Sequence, residues 1–207
     1  MTTLIVHAGP AGGDAAITRT GGVPLVPAGF SWPTCRTCEG PMQFLAQVMP
    51  GDLGLDGRQG VLSVFMCQND PGLCEEWDPV AGGNQALLFP PDGLRAAVVP
   101  PGQATTLGEV CAVRSVPSDG DYDEARVAWA EREGRPEQDV LGQLGGQPSW
   151  IQNDETPACP ECAAPMSFAV QLEEGHDYRT AANFGGGGCG YGFTCLPCAK
   201  ALFLWQC

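Results

Sequence analysis

Positive charge is scarce in this sequence. Ten Lys and Arg stand against 24 Asp and Glu among 207 residues, giving a formal net charge of −14. A surface with that balance repels phosphate backbones, so it argues most directly against nucleic-acid binding. Histidine is rarer still: His7 and His176 are the two, and neither sits in an H-E-x-x-H or related pattern. The glycine run 185–188 is followed by no Lys-Ser/Thr pair, so it reads as a flexible linker and not as a phosphate loop. Long apolar runs are also missing. Nothing approaches the roughly 18 consecutive residues of a membrane helix, so no membrane role is expected. The first twenty residues lack the basic start and apolar centre of a secretory signal, which points to the cytoplasm.

Cysteine, by contrast, is plentiful, with eleven in the chain. Cytosolic thiols are kept reduced, and clustered cysteines there hold metal more often than they form disulfides. Their placement follows an internal repeat. Residues 21–48 and 145–172 align without a gap at an offset of 124, and ten of 28 positions are identical. Unrelated stretches of this composition would share about two. A repeat fixes the architecture as two related halves, and Cys35-x2-Cys38 recurs as Cys159-x2-Cys162.

The halves read as strand, strand, cysteines, strand. In the first, residues 42–48 alternate with a period of two that suggests a strand with one buried face. Runs 61–66, 84–89 and 94–99 read as further strands, with a Gly/Asp turn at 51–60 and an edge strand at 109–116. In the second, 167–172, 190–195 and 201–206 match the first three. Residues 4–6 suggest one more strand. Between the halves, Asp121 reads as the N-cap of a helix over 122–133 ended by Gly134 and Pro136. Its Tyr122, Ala125 and Trp129 form a narrow apolar stripe that suits packing on the repeat junction. The expected fold is mainly β (α+β): two pseudo-repeats of antiparallel strands packed as one unit, with one connecting helix. The expected organisation is a single compact domain over 1–207, with half-repeats at about 21–99 and 145–207 and a connector at about 100–144.

Four-cysteine zinc sites need two pairs of thiolates brought to tetrahedral positions, and a Cys-x2-Cys turn presents two sulfurs at once. The second half supplies two such turns, Cys159/Cys162 and Cys195/Cys198. The first supplies Cys35/Cys38 and then Cys67 and Cys74, whose wider spacing requires a loop to return the fourth ligand. Two structural zinc ions are expected, with iron as the alternative metal on overproduction. Cys111, Cys189 and Cys207 are left over as core or surface thiols, with Cys189 or Cys207 as substitutes if this less regular first-half site is wrongly assigned. A site filled by four thiolates leaves no place for substrate or activated water. No catalytic residue is assigned.

The order GG-x-P, WP, P-M-x-F-x-x-Q and G-x-L-x-x-F-x-C, with the closing GYGFTC and FLWQC, resembles the YwqG-like bacterial family of uncharacterised proteins. With cysteine pairs inserted, both halves also resemble the programmed cell death protein 2 family, dedicated chaperones of a ribosomal protein. That resemblance implies a duplicated, mainly β fold and, by analogy, a protein client. The function expected is therefore a non-enzymatic, zinc-stabilised protein-binding module whose acidic surface suits a basic client, as chaperone or neutraliser. Two alternatives stand beside it. One is an enzyme using the loop 173–189, with Cys189 and His176 as a nucleophilic pair. The other is a zinc-ribbon nucleic-acid module, which the charge opposes.

Overall fold

The computed structural model describes residues 2–13, 15–52, 60–100, 108–175, 177 and 182–207. Its strands are β1 (Thr2–Pro10), β2 (Arg19–Thr20), β3 (Leu25–Val26), β4 (Gln43–Val48), β5 (Val61–Met66), β6 (Asn84–Phe89), β7 (Arg95–Ala96), β8 (Cys111–Ser118), β9 (Val140–Leu144), β10 (Ser167–Glu173), β11 (Cys189–Cys195) and β12 (Lys200–Gln206). The one long helix, α1, spans Tyr122–Glu133. Ten strands form one antiparallel sheet in the order β12-β11-β10-β9-β1-β8-β2-β4-β5-β6, while β3 and β7 pair separately. The fold is mainly β with a single connecting helix, as the sequence predicts. The sheet curls until its ends, β6 and β12, lie side by side, almost closing a barrel.

The strand order is the same from either end. β6, β5, β4 and β2 correspond to β12, β11, β10 and β9, with β8 and β1 between them. Individual hydrogen bonds recur at the offset of 124. Gly21 N–H donates to Leu45 O at 2.9 Å, and Gly145 N–H to Ala169 O at 2.9 Å. The Gln47 carboxamide oxygen accepts from Leu25 N–H, and that of Gln171 accepts from Ser149 N–H.

Apolar side chains of both halves meet inside the barrel, among them Leu45, Leu62 and Val64 from one and Leu144, Val170 and Phe203 from the other. Gly190 makes room there: a Cβ on it would lie 2.4 Å from the Phe203 ring and 2.9 Å from Phe184. Outside, α1 lies on β1 and packs Tyr122, Ala125 and Trp129 against Leu4, Val6, Val116 and Val140. Asp121 caps α1 through Glu124 N–H at 3.0 Å, and Gly134 ends it in the left-handed region.

Four expectations are corrected. β4 is buried on both faces because the segment before it folds back over its outer side, placing Phe30 and Trp32 against Phe65. The run 94–99 contributes only Arg95–Ala96, which pairs with β3. The edge strand at 109–116 is β8, near the sheet centre between β1 and β2. β9, inside the segment expected as connector, pairs with β1 and β10. The turn at 51–60 has residues 53–59 outside the described set.

Candidate metal centres

The outer face of each hairpin carries a second apolar cluster built around thiols. In the first half Cys35, Cys67 and Cys74 pack with Met42, Phe44 and Phe65. In the second, Cys159 and Cys195 pack with Met166, Tyr191 and Phe193. Trp150 closes over the latter, 4.5 Å from the Tyr191 ring and 5.9 Å from Phe193.

The same local fold presents the first pair of thiols in both halves. Cys35 N–H donates to Gly40 O at 2.9 Å and Glu39 N–H returns to Cys35 O at 2.9 Å. The counterparts are Cys159 N–H to Ala164 O at 2.8 Å and Ala163 N–H to Cys159 O at 2.9 Å. Glu39 and Ala163 both take positive φ, 59° and 57°, to turn the chain. The second pair differs. Cys195 ends β11 and a single 3-10 turn, Leu196–Cys198, brings Cys198 round. Cys67 follows β5 directly, and Cys74 returns on a longer loop fixed from within. The buried Glu76 carboxylate accepts N–H groups from Gly72 and Cys74, and Asn84 donates to Glu76 O at 2.8 Å. Gly83 permits this path, since a Cβ there would stand 2.2 Å from Cys74 O.

The structure gathers the eight expected thiols into two groups, Cys35/Cys38/Cys67/Cys74 and Cys159/Cys162/Cys195/Cys198, with all Sγ atoms of a group within 4.8 Å of one another. Cys38 and Cys67 Sγ are 3.6 Å apart, and Cys162 and Cys195 Sγ are 3.8 Å apart. Four sulfurs at a zinc–sulfur distance of about 2.3 Å have tetrahedral edges of about 3.8 Å. All eleven cysteines are free thiols. The groups therefore fit a four-coordinate, thiolate-bound ion. Cys111, Cys189 and Cys207 belong to neither group, so no substitute ligand is required.

Backbone and side-chain donors already favour thiolate at one position in each group. Burial works against the Cys38 thiolate, but Gly40 N–H and the Asn69 amide hold its pKa down to about 7. Asn69 Nδ2 lies 3.4 Å from Cys38 Sγ and 3.3 Å from Cys67 Sγ, a contact that sequence inspection missed because Asn69 lies outside the cysteine motif. The N–H of Cys162 holds Cys159 at about 7. Cys67, Cys74, Cys195 and Cys198 resist ionising beside them. Hydrogen bonding to Cys162 and Cys195 pushes Cys198 up to about 12, and burial raises Cys74. Ionising all four thiols of a group would concentrate negative charge that a bound cation would offset.

Among the described residues, several features considered for catalysis are engaged in other contacts. Glu174 accepts N–H groups from Phe184 at 2.6 Å and Gly186 at 2.9 Å, so its carboxylate occupies the place at the glycine run that an anion would take. Glu173 is bound by Tyr122 Oη at 2.7 Å and Arg126 at 3.4 Å. Burial and the Glu173 charge push Cys189 up to about 12, which keeps it protonated and a poor nucleophile. His176 lies outside the described residues. His7, Cys111 and Glu173 line a cavity of about 250 Å³ at one mouth of the barrel. No helix among the described residues is long and apolar enough to cross a membrane.

Comparison with known proteins agrees with the picture of a family lacking an assigned activity. A stretch of 71 residues, 32% of this chain, is 40% identical to the "Uncharacterized protein YpfL" of Salmonella typhimurium strain LT2. That stretch is 15% of the relative's own length. A family model described as "Domain of unknown function (DUF1963)" matches residues 18–195, running from β2 to the end of β11. Since that region includes both hairpins and seven of the eight clustered cysteines, the chain belongs to the DUF1963 family.

Proposed function

We propose that this chain is a non-enzymatic, zinc-stabilised module that binds another protein, with two structural zinc ions in the two four-cysteine groups. The observation that carries the reading is the closure of those groups: four sulfur donors at tetrahedral spacing leave no open position for chemistry. Zinc suits the all-thiolate donor set, and iron is the competing occupant on overproduction. Each ion ties the loop before a terminal strand to the loop before β4 or β10, where it substitutes for core that a small domain lacks. Ligation of this kind supplies about 10–16 kcal/mol of apparent binding energy.

The partner is a basic client such as a ribosomal protein or a basic toxin domain. The net charge of −14 would steer such a client. Resemblance of both halves to the programmed cell death protein 2 family supports the same direction. Elemental analysis of untagged protein purified without chelator should return two zinc ions per chain, with the clustered thiols protected from alkylation. Pull-down from native lysate at low salt should recover a stoichiometric basic protein. No metal and no stoichiometric partner would remove both parts of the reading.

A further inference from the structure

Side chains do not fill the barrel at the end where β1 bulges. Between His7 and Pro10, β1 sets two residues, Ala8 and Gly9, against the single Ala112 of β8, and Gly9 takes φ 95° to do so. Bulges bend a strand and recur at barrel rims beside active sites. A Cβ on Gly9 would meet no atom within 4 Å, so that position borders open space. The cavity of about 250 Å³ lies alongside and reaches down to Leu45, Leu141 and Leu172 of the barrel core. Packed interiors keep few voids larger than a water molecule, and an apolar cavity of about 150 Å³ already holds benzene. By that measure the space takes a molecule of about ten non-hydrogen atoms.

The residues around it set the charge of the guest. Glu109, Glu173, Glu174 and Asp177 line the cavity and no Lys or Arg does, His7 being the one basic side chain. Glu173 is engaged by Arg126 and Tyr122. Glu174 accepts backbone N–H groups from Phe184 and Gly186, and among the described residues neither Glu109 nor Glu174 forms an ion pair. Carboxylates gathered at one opening over low-dielectric walls focus a field that draws cations. A bare metal ion finds no donor set here, since among the described residues only the two cysteine groups bring ligand atoms within 4.8 Å of one another. None of those cysteines lines the cavity. Apolar walls with a few polar groups at the opening are the usual make-up of a small-molecule pocket.

We propose that this cavity binds a small organic amine as its ammonium ion. The apolar body of the ligand lies against Leu45, Leu141 and Leu172, and its charged head stays at the mouth with Glu109 and Glu174. The site adds a small-molecule ligand to the zinc-stabilised module, and it does not rest on the protein-binding reading above.

The test uses the zinc-loaded full chain and probes of nearly one shape: 2-phenylethylamine, 2-phenylethanol and phenylacetate. Calorimetric titration should show the amine binding once per chain with a Kd of about 1 mM or tighter. The alcohol should bind about 10-fold more weakly, since it lacks the charged donor, and phenylacetate more weakly still. In methyl-labelled protein, nuclear Overhauser contacts from the phenyl protons should fall on Leu141 and Leu172 and not on Leu87 or Leu202 outside the barrel. Glu109→Gln and Glu174→Gln each keep the length of the side chain, and the carboxamide at 174 can still accept from Phe184 and Gly186. Each should lower the amine-to-alcohol affinity ratio by about 2- to 5-fold, with retained zinc content showing that the variant folds. Four results would each overturn the proposal: no saturable binding of the amine, equal affinity for amine and alcohol, contacts that fall outside the cavity, or an affinity ratio unchanged in both variants.

Discussion

Asn69 illustrates how a side chain outside the cysteine motif bears on a metal centre. Its amide donates to Cys38 and Cys67, so it stabilises thiolate on two ligands and joins the first turn to the end of β5. Groups that orient metal ligands in this way are worth 10- to 100-fold in affinity. Asn69→Ala should therefore weaken metal binding at the first group by about 10- to 100-fold in a chelator competition, with the second group unaffected. Equal loss at both groups would show that the variant damages the fold and not the ligands. Cys189 makes a different point. Burial first, and the Glu173 carboxylate next, push its thiol up to about 12. A thiol raised above its ordinary value near 8.5 contributes stability that is fully present below that value and fades as the pH rises towards 12. Two outcomes follow. At pH 8 iodoacetamide should modify the exposed Cys207 well before Cys189, and the alkaline loss of stability should be smaller in Cys189→Ala than in the parent, as read from denaturation midpoints. Prompt labelling of Cys189 in folded protein would contradict its placement.

At the scale of strands and helices, what the sequence displays depends on where its periodicity comes from. The helix was legible because capping is local: Asp121 and Gly134 act on their own turn. The hairpin strands were legible from β-rich runs and from the repeat, and the Cys-x2-Cys turns from fixed spacing. β2 and β9 were not. Arg19 is fully buried in β2 with its guanidinium donating to Ala15 O, Gly21 O and Val23 O, whereas position 143, its counterpart in β9, is a Gln that donates to Gln147 O. The bond is kept while the residue type changes, so identity at the offset of 124 stops at the glycines. The one-sided reading of β4 failed for a related reason, because the covering aromatics come from a segment with no secondary structure. Gly190 shows the same tertiary control inside β11, where a strand glycine would ordinarily weaken the element. Here its missing side chain lets Phe203 and Phe184 fill the barrel. Gly190→Val should destabilise the protein by about 1–3 kcal/mol through overpacking, measured by urea denaturation. A neutral result would mean that the aromatic rings repack freely.

For the molecule as a whole, the two thiolate groups and the barrel core impose different kinds of connection. Each group is assembled within one half: Cys35, Cys38, Cys67 and Cys74 in the first, Cys159, Cys162, Cys195 and Cys198 in the second. Metal binding should therefore be independent at the two centres. The barrel core, however, takes Leu45, Leu62 and Val64 from one half and Leu144, Val170 and Phe203 from the other, so neither half can withdraw its strands without exposing the partner's apolar face. Folding should be shared even though ligation is not. Cys195→Ser, which removes one thiolate at the end of β11, should leave about one ion per chain, in the first group, and still unfold in a single transition at a lower temperature. The loss should also reach the line where β6 and β12 meet, because the turn Leu196–Cys198 is separated from β12 by Ala199 alone and sets where that strand begins. Hydrogen exchange in the variant should rise most along β12 and β6, the strands with a free edge, and least in β1 and β8 at the sheet centre. Two separate unfolding transitions, with the first half as stable as in the parent, would instead describe two units that fold alone and merely touch.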